Sequence, residues 1–109
     1  MEDKQKREMS EGEELIKEFL EEENIKFGQE VEINNLMGDN KSIRKADFYL
    51  LKYKVYIEFL GKWNNLEHRR EYIKKMNVYK ENNIPCIYFY PENLGIIGFL
   101  FKRRQDNFR

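Results

Sequence analysis

Two carboxylates near the middle of the chain are spaced to meet: Asp47 in Lys45-Ala46-Asp47-Phe48 and Glu58 in Tyr56-Ile57-Glu58-Phe59-Leu60-Gly61. Each stands at the end of an apolar strand, and a short polar turn joins the two strands. If Lys52-Tyr53 is a two-residue turn, the paired positions are 51 with 54, 49 with 56 and 47 with 58. Asp47 then faces Glu58 on one side of the sheet, with Cβ atoms about 5 Å apart. Facing carboxylates repel unless positive charge lies between them. A hard divalent cation such as Mg²⁺, which takes oxygen ligands, suits that position. Lys-Tyr is not one of the Asn-Gly or Asp-Gly pairs that mark two-residue hairpins, so a longer loop with another register stays open. A one-residue slip would place the two carboxylates on opposite faces, as ordinary strand-end residues at a solvated edge.

Other residues could complete such a site. Ser10-Glu11-Gly12-Glu13 has capping-box spacing, so Glu13 either caps a helix or supplies a third carboxylate, as could Glu14 beside it. Further on, His68, Tyr72, Lys75 and Tyr79 follow one another at spacings of four, three and four, which puts them on one helical stripe. Leu66, Ile73 and, nearer the middle, Met76 lie on the opposite side. An ammonium beside metal-binding carboxylates can orient an attacking water or offset charge building on a phosphate. The competing reading makes Lys75 a solvated lysine and Tyr72 and Tyr79 core aromatics. His68, the single histidine, reads as a surface or hydrogen-bonded residue. Neither Ser10 nor Ser42 sits in a nucleophile elbow, no phosphate-binding Gly-rich loop occurs, and Cys86 has no basic neighbour in sequence.

The elements that must position these residues follow from periodicity and punctuation. Residues 1–9 are expected to be a flexible tail. Ser10 opens a helix with Leu15, Ile16, Phe19 and Leu20 as its apolar stripe, ending near Glu23-Asn24. A strand is expected over 26–33, a loop over 34–41 around Gly38-Asp39-Asn40, and hairpin strands near 43–51 and 54–60. Asn64 or Asn65 caps a second helix reaching about Asn82. A buried strand follows over 84–90, with Pro85 near its start. Pro91-Glu92-Asn93 suits a turn or a helix start. Gly95 and Gly98 leave 96–101 open between helix and strand, with helix favoured, and 102–109 is a basic tail. The order α-β-β-β-α-β predicts an α/β domain over 10–101, with a central mixed four-stranded sheet flanked by helices.

At 109 residues, with 40% hydrophobic and 15% aromatic side chains, the chain can fold as one domain although 37% of it is charged. The lone Cys86 excludes an intramolecular disulfide and reads as a buried thiol in a reducing compartment. The charged start has no apolar stretch behind it and no run approaches a membrane span, so a cytoplasmic protein without membrane association is expected. The formal net charge is zero, but residues 1–58 carry 10 basic and 15 acidic groups and residues 59–109 carry 10 and 5. Such asymmetry suggests an acidic region and a basic surface able to meet phosphate.

Four short motifs stand in order: Ser10-Glu11-Gly12-Glu13, Ala46-Asp47-Phe48, Ile57-Glu58-Phe59-Leu60-Gly61, and a helix carrying Lys75 that leads into Ile84-Pro85. In these the chain, from about residue 10 to 94, resembles the PD-(D/E)XK nuclease superfamily. The likeness is to its small restriction-endonuclease-like domains of the very-short-patch-repair type, which also occur attached to helicases. The resemblance implies Mg²⁺-dependent hydrolysis of DNA phosphodiester bonds, with Mn²⁺ as a substitute. Asp47 and Glu58 would bind the metal, Glu13 would assist, and Lys75 would replace the usual motif lysine. Ala46 stands where the motif has proline and Leu60 where it has lysine. Some members place that lysine on the following helix, as Lys75 would be, and Lys62 is a second candidate. Lys45, Lys62, Arg69, Arg70, Lys74 and Lys102 to Arg104 would contact backbone phosphates. Specificity would come from loop 34–42, from a homodimer, or from a helicase or recognition partner. The alternative is a nuclease-like domain that binds nucleic acid or protein without cutting, and a third class is a purely structural module without metal.

Overall fold

The computed structural model describes residues 9–98 and 101. Of the flexible tail expected over 1–9 only Met9 is described, and it is half-buried against the main core rather than free; residues 1–8 and the basic tail 102–109 lie outside the described residues. Helix α1 spans Glu11–Glu22 and begins as its capping box requires: the Glu13 N–H donates to Ser10 Oγ at 3.2 Å, and the Ser10 N–H donates to Glu13 Oε1 at 2.9 Å. Its buried face is Gly12, Glu13, Ile16 and Leu20, at the spacing that lines one side of a helix. Strands β1 (Phe27–Asn34), β2 (Ile43–Leu50) and β3 (Val55–Phe59) follow, then helix α2 (Leu66–Glu81) and strand β4 (Cys86–Phe89). Asn65 caps α2 by accepting the His68 N–H at 3.0 Å. Pro91–Ile96 forms a 3-10 helix, and Ile97, Gly98 and Phe101 are helical, as favoured for that segment.

The strands lie side by side in the order β1-β2-β3-β4. The first two pairs are antiparallel, and β3 and β4 are parallel because α2 carries the chain back across the sheet. This is the mixed four-stranded α/β arrangement that the element order predicts. Among the described residues no helix is long and apolar enough to cross a membrane.

The hairpin differs from expectation in its turn. The loop is the four residues Leu51–Lys54 rather than Lys52-Tyr53, closed by the Lys54 N–H donating to Leu50 O at 2.7 Å, with Lys54 at φ 56°. The register is nevertheless the expected one: Leu50 pairs Val55, Tyr49 pairs Tyr56 and Phe48 pairs Ile57. Opening the turn by one residue on each side removes a pair without moving the others.

The two faces of the sheet are covered unequally. Ile16 and Leu20 of α1 pack with Phe48, Leu50, Val55, Ile57, Ile87 and Phe89 in the main core, closed at one end by Ile97 and Phe101. Each aliphatic side chain fully buried there contributes about 1.5–3 kcal/mol. A smaller cluster joins Ile33 and Ala46 to Tyr79, the one buried residue of α2, flanked by Tyr56, Cys86 and Tyr88. Cys86 is half-buried rather than fully enclosed. Strand β2 therefore changes allegiance within three residues, Phe48 going to the α1 core and Ala46 to Tyr79. Asp47 sits at that changeover. Opposite it, Glu30 has φ 51°, and the 30/47 position is the one omitted from the β1–β2 ladder.

Candidate active site

The changeover in β2 gives Asp47 access to groups from both sides of the sheet. From β3, the Phe59 N–H donates to Asp47 Oδ2 at 2.7 Å, tying the strand ends together. One step beyond the Phe48–Ile57 pair, the register sets Asp47 opposite Glu58. From α1, the Glu13 side chain is hydrogen-bonded to the Asp47 carboxyl. Glu13 is 6% exposed because the first turn of α1 lies against β3: a Cβ added to Gly12 would fall 2.3 Å from the Phe59 ring. Glycine at position 12 is what allows that approach, so the capping box and the third carboxylate are one device. Glu13 caps α1 and lies beside Asp47, while Glu14 is exposed.

Glu58 is 3% exposed and held from α2. The Tyr79 hydroxyl donates to Glu58 Oε2 at 2.8 Å, and Lys75 Nζ lies 2.8 Å from the same oxygen. Lys75 Nζ also donates to the carbonyl oxygen of Lys45 at 2.9 Å, two residues before Asp47. The Lys75 and Tyr79 stripe therefore faces the carboxylates. Lys62 does not reach them: its side chain is exposed, and its backbone N–H donates to the Tyr72 hydroxyl at 3.1 Å. Leu60, at the position of the usual motif lysine, is buried.

The electrostatics follow from this crowding. Burial raises the Asp47 pKa most, the Glu58 and Glu13 charges add to it, and the Phe59 amide opposes them, leaving Asp47 at about 8 against an ordinary 3.8. By exposed area Asp47 is only half-buried, yet the carboxylates crowded around it leave its charge poorly solvated. Burial also raises Glu58, against the lowering by the Lys75 ammonium and the Tyr79 hydroxyl. Both carboxyls are thus shifted upward, Asp47 by burial and its acidic neighbours and Glu58 by burial against the opposing Lys75 ammonium, so the pair as a unit gives up its protons less readily than isolated carboxyls do. Tyr79 itself is pushed far up by burial and by Glu58, so it acts only as a donor.

Among the described residues no three His, Cys, Asp or Glu side chains form a ready-made metal cage. The donor set still fits a Mg²⁺-type ion, which binds through one or two carboxylates and completes its shell with water and substrate phosphate. Asp47 and Glu58 offer oxygen donors of the kind such an ion takes.

Among the described residues the other basic side chains are dispersed. Lys45 is exposed and stands opposite Glu32 on β1. Lys74 is exposed and 3.5 Å from Glu71. Arg70 is exposed and lies roughly 140° around α2 from Lys75. Arg69 is engaged internally: its Nε donates to Trp63 O at 2.8 Å, and its guanidinium sits 5.0 Å over the Trp63 ring. Trp63 also packs edge-on against Tyr90, with ring centroids 4.9 Å apart, and stacks on Tyr72 at 6.3 Å. This aromatic group was not foreseen from sequence; Trp63 just after Gly61, Tyr90 just after β4 and Tyr72 on the α2 stripe were its only signal. His68 is exposed and takes part through its backbone.

No protein-family model, curated protein or solved structure matches the chain.

Proposed function

We propose that the chain is a metal-dependent nuclease that hydrolyses phosphodiester bonds of DNA at the cluster of Asp47, Glu58, Glu13 and Lys75. The observation that carries this reading is the 2.8 Å contact of Lys75 Nζ with Glu58 Oε2, because it supplies from α2 the cation that β3 lacks at Leu60. Asp47 and Glu58 would hold a divalent ion, which when bound supplies Lewis-acid charge to the scissile phosphate and acidifies the attacking water. Tyr79 and Lys75 fix Glu58 in one orientation, and the Phe59 amide fixes Asp47. Glu13, fastened by the Ser10 amide, would take a proton from the water. Lys75, anchored between Glu58 and the Lys45 carbonyl, would turn its ammonium toward charge developing on the phosphate. Lys45 and Lys62, both exposed, would contact neighbouring phosphates, and sequence choice would come from loop 34–42 or a helicase or recognition partner.

One observation favours a second reading. The Lys75 ammonium is already engaged twice and Glu13 is bonded to Asp47, a closed set that suits a domain binding nucleic acid or protein without cutting. Incubating purified protein and an Asp47→Ala control with plasmid and Mg²⁺ or Mn²⁺ separates the two. Cleavage by wild type alone supports the enzyme, and equal inactivity of both favours the second reading. Calorimetric Mn²⁺ binding that disappears in Glu58→Ala would then show that the carboxylate pair still takes metal.

A further inference from the structure

The two oxygens of Glu58 stand in different surroundings. Oε2 accepts the Tyr79 hydroxyl and meets the Lys75 ammonium, each at 2.8 Å. Oε1 takes no hydrogen bond from any described residue, in a side chain almost wholly enclosed. Among the described residues no fully buried side-chain oxygen is left without a partner, so Oε1 is the oxygen that the remaining opening reaches. Both donors on Oε2 are held at their far sides as well. The Tyr79 ring is packed with Ile33 and Ala46, and Lys75 Nζ also donates to the Lys45 carbonyl oxygen at 2.9 Å. Asp47 is engaged in the same sense, its Oδ2 accepting the Phe59 N–H at 2.7 Å.

We propose that Tyr79, assisted by Lys75, sets the metal preference of this site, favouring Mg²⁺ or Mn²⁺ over Ca²⁺ by leaving Glu58 a single oxygen to give. This preference presupposes the metal-dependent reading above and says which ion it admits. With Oε2 filled by two donors, Glu58 can bind an ion only through Oε1, and its enclosure keeps it from swinging to offer both. Ca²⁺ gathers about six to eight oxygens in a flexible shell and takes carboxylates through one oxygen or two, so it loses a ligand where the second is denied. Mg²⁺ keeps several of its waters and needs only one or two carboxylates, so it loses nothing. A phenol suits the task because it is a neutral donor: it fills Oε2 without cancelling the charge that draws the cation. Tyr79 is thus a positioning residue, acting on the ion through Glu58.

Calorimetric titration of the purified chain with Mn²⁺ and with Ca²⁺, in the absence of nucleic acid, tests this. Wild type is expected to hold Mn²⁺ about tenfold or more tightly than Ca²⁺. Tyr79→Phe keeps the ring in its cluster and removes only the donor, and is expected to narrow that ratio severalfold. Tyr79→Phe combined with Lys75→Met frees Oε2 altogether and should bring the ratio near one. The ratio is the readout, because losing the ammonium strengthens the binding of both ions alike. Tyr72→Phe, the same change elsewhere on α2, should keep the wild-type ratio. If Tyr79→Phe does not fold, Lys75→Met alone carries the test, with the ratio again expected to narrow. A ratio unchanged when Oε2 is freed, one that moves equally in Tyr72→Phe, or a wild type that holds Ca²⁺ as tightly as Mn²⁺ overturns the proposal and leaves the metal site standing. A wild type that binds neither ion overturns both the proposal and the metal-dependent reading.

Discussion

Glu58 Oε2 receives both the Tyr79 hydroxyl and the Lys75 ammonium at 2.8 Å, in a place where the carboxylate is almost wholly buried. Removing either donor leaves part of that charge unsatisfied. Tyr79→Phe keeps the ring in its cluster and deletes only the hydroxyl, so it should cost about 1–3 kcal/mol in urea unfolding. Asp47 has the opposite problem, a proton it cannot easily lose. A carboxyl whose folded pKa of about 8 exceeds its unfolded value of 3.8 binds its proton more tightly in the folded state. Its contribution is therefore intact below about pH 4 and is lost as pH rises toward 8. Metal-free wild type should lose melting temperature over that window, and Asp47→Asn should flatten the loss; parallel slopes in scanning calorimetry would contradict the assignment. Saturating Mn²⁺ at pH 8 should raise the melting temperature of wild type and leave Asp47→Asn unmoved, since only binding to the folded state stabilises. The facing of Asp47 and Glu58 was legible in the sequence because strand register decides it, and the shared stripe of Lys75 and Tyr79 because helical spacing does; that Glu13 and Lys75 join the pair was expected only from the resemblance. The Tyr79 hydroxyl and the Lys45 carbonyl were not, because their part depends on how closely α2 approaches the sheet, which no local spacing encodes.

At the scale of elements, two contacts hold the site's supports in place. The first turn of α1 rests on Phe59 through Gly12, and a methyl there would stand 2.3 Å from the ring. Gly12→Ala should therefore displace Glu13 and destabilise by about 1–3 kcal/mol. Gly95→Ala, with nothing within 4 Å, is the matched control expected to be near neutral. The second contact joins loop 35–42 to α2: the Met37 N–H donates to Asn82 Oδ1 at 2.8 Å and Asn82 Nδ2 donates to Met37 O at 2.9 Å. Within the loop, Arg44 grips Asp39 with bonds of 2.8 and 2.9 Å and holds the Asp39 carboxyl down to about 2. Met37, 80% exposed, is thereby presented on a fixed loop. Asn82→Ala should open the loop and speed proteolysis beside Met37 severalfold, read by mass spectrometry of the fragments. The helix starts were readable from Ser10 and Asn65 because capping is a local rule. The changeover of β2 at Asp47 was not, since it depends on a left-handed Glu30 in the neighbouring strand. The outward turn of Leu66 and Ile73 was not readable either, because periodicity shows that two stripes exist but not which one the sheet takes.

For the whole molecule, the strand order followed from the order of elements alone, since short connections make β1, β2 and β3 neighbours and a helical crossover brings β4 in parallel. The surface charge was less legible. A basic second half suggested a phosphate-binding surface, yet among the described residues Arg69 is tied to Trp63, Arg70 lies well around α2 from Lys75 and Lys74 meets Glu71, so these three form no single patch beside the carboxylates. Lys45 and Lys62 remain as exposed positive groups in the sequence segments that carry the two carboxylates. The account as a whole depends on Lys75 working with those carboxylates, and one measurement addresses it most directly: the Mn²⁺-dependent rate of cleavage of a labelled DNA duplex by wild type and Lys75→Met. Wild type should cut, and the variant should fall by about 10²–10³-fold while still binding Mn²⁺. A wild type that leaves the duplex intact, or a Lys75→Met protein that cuts it at the wild-type rate, would contradict the account.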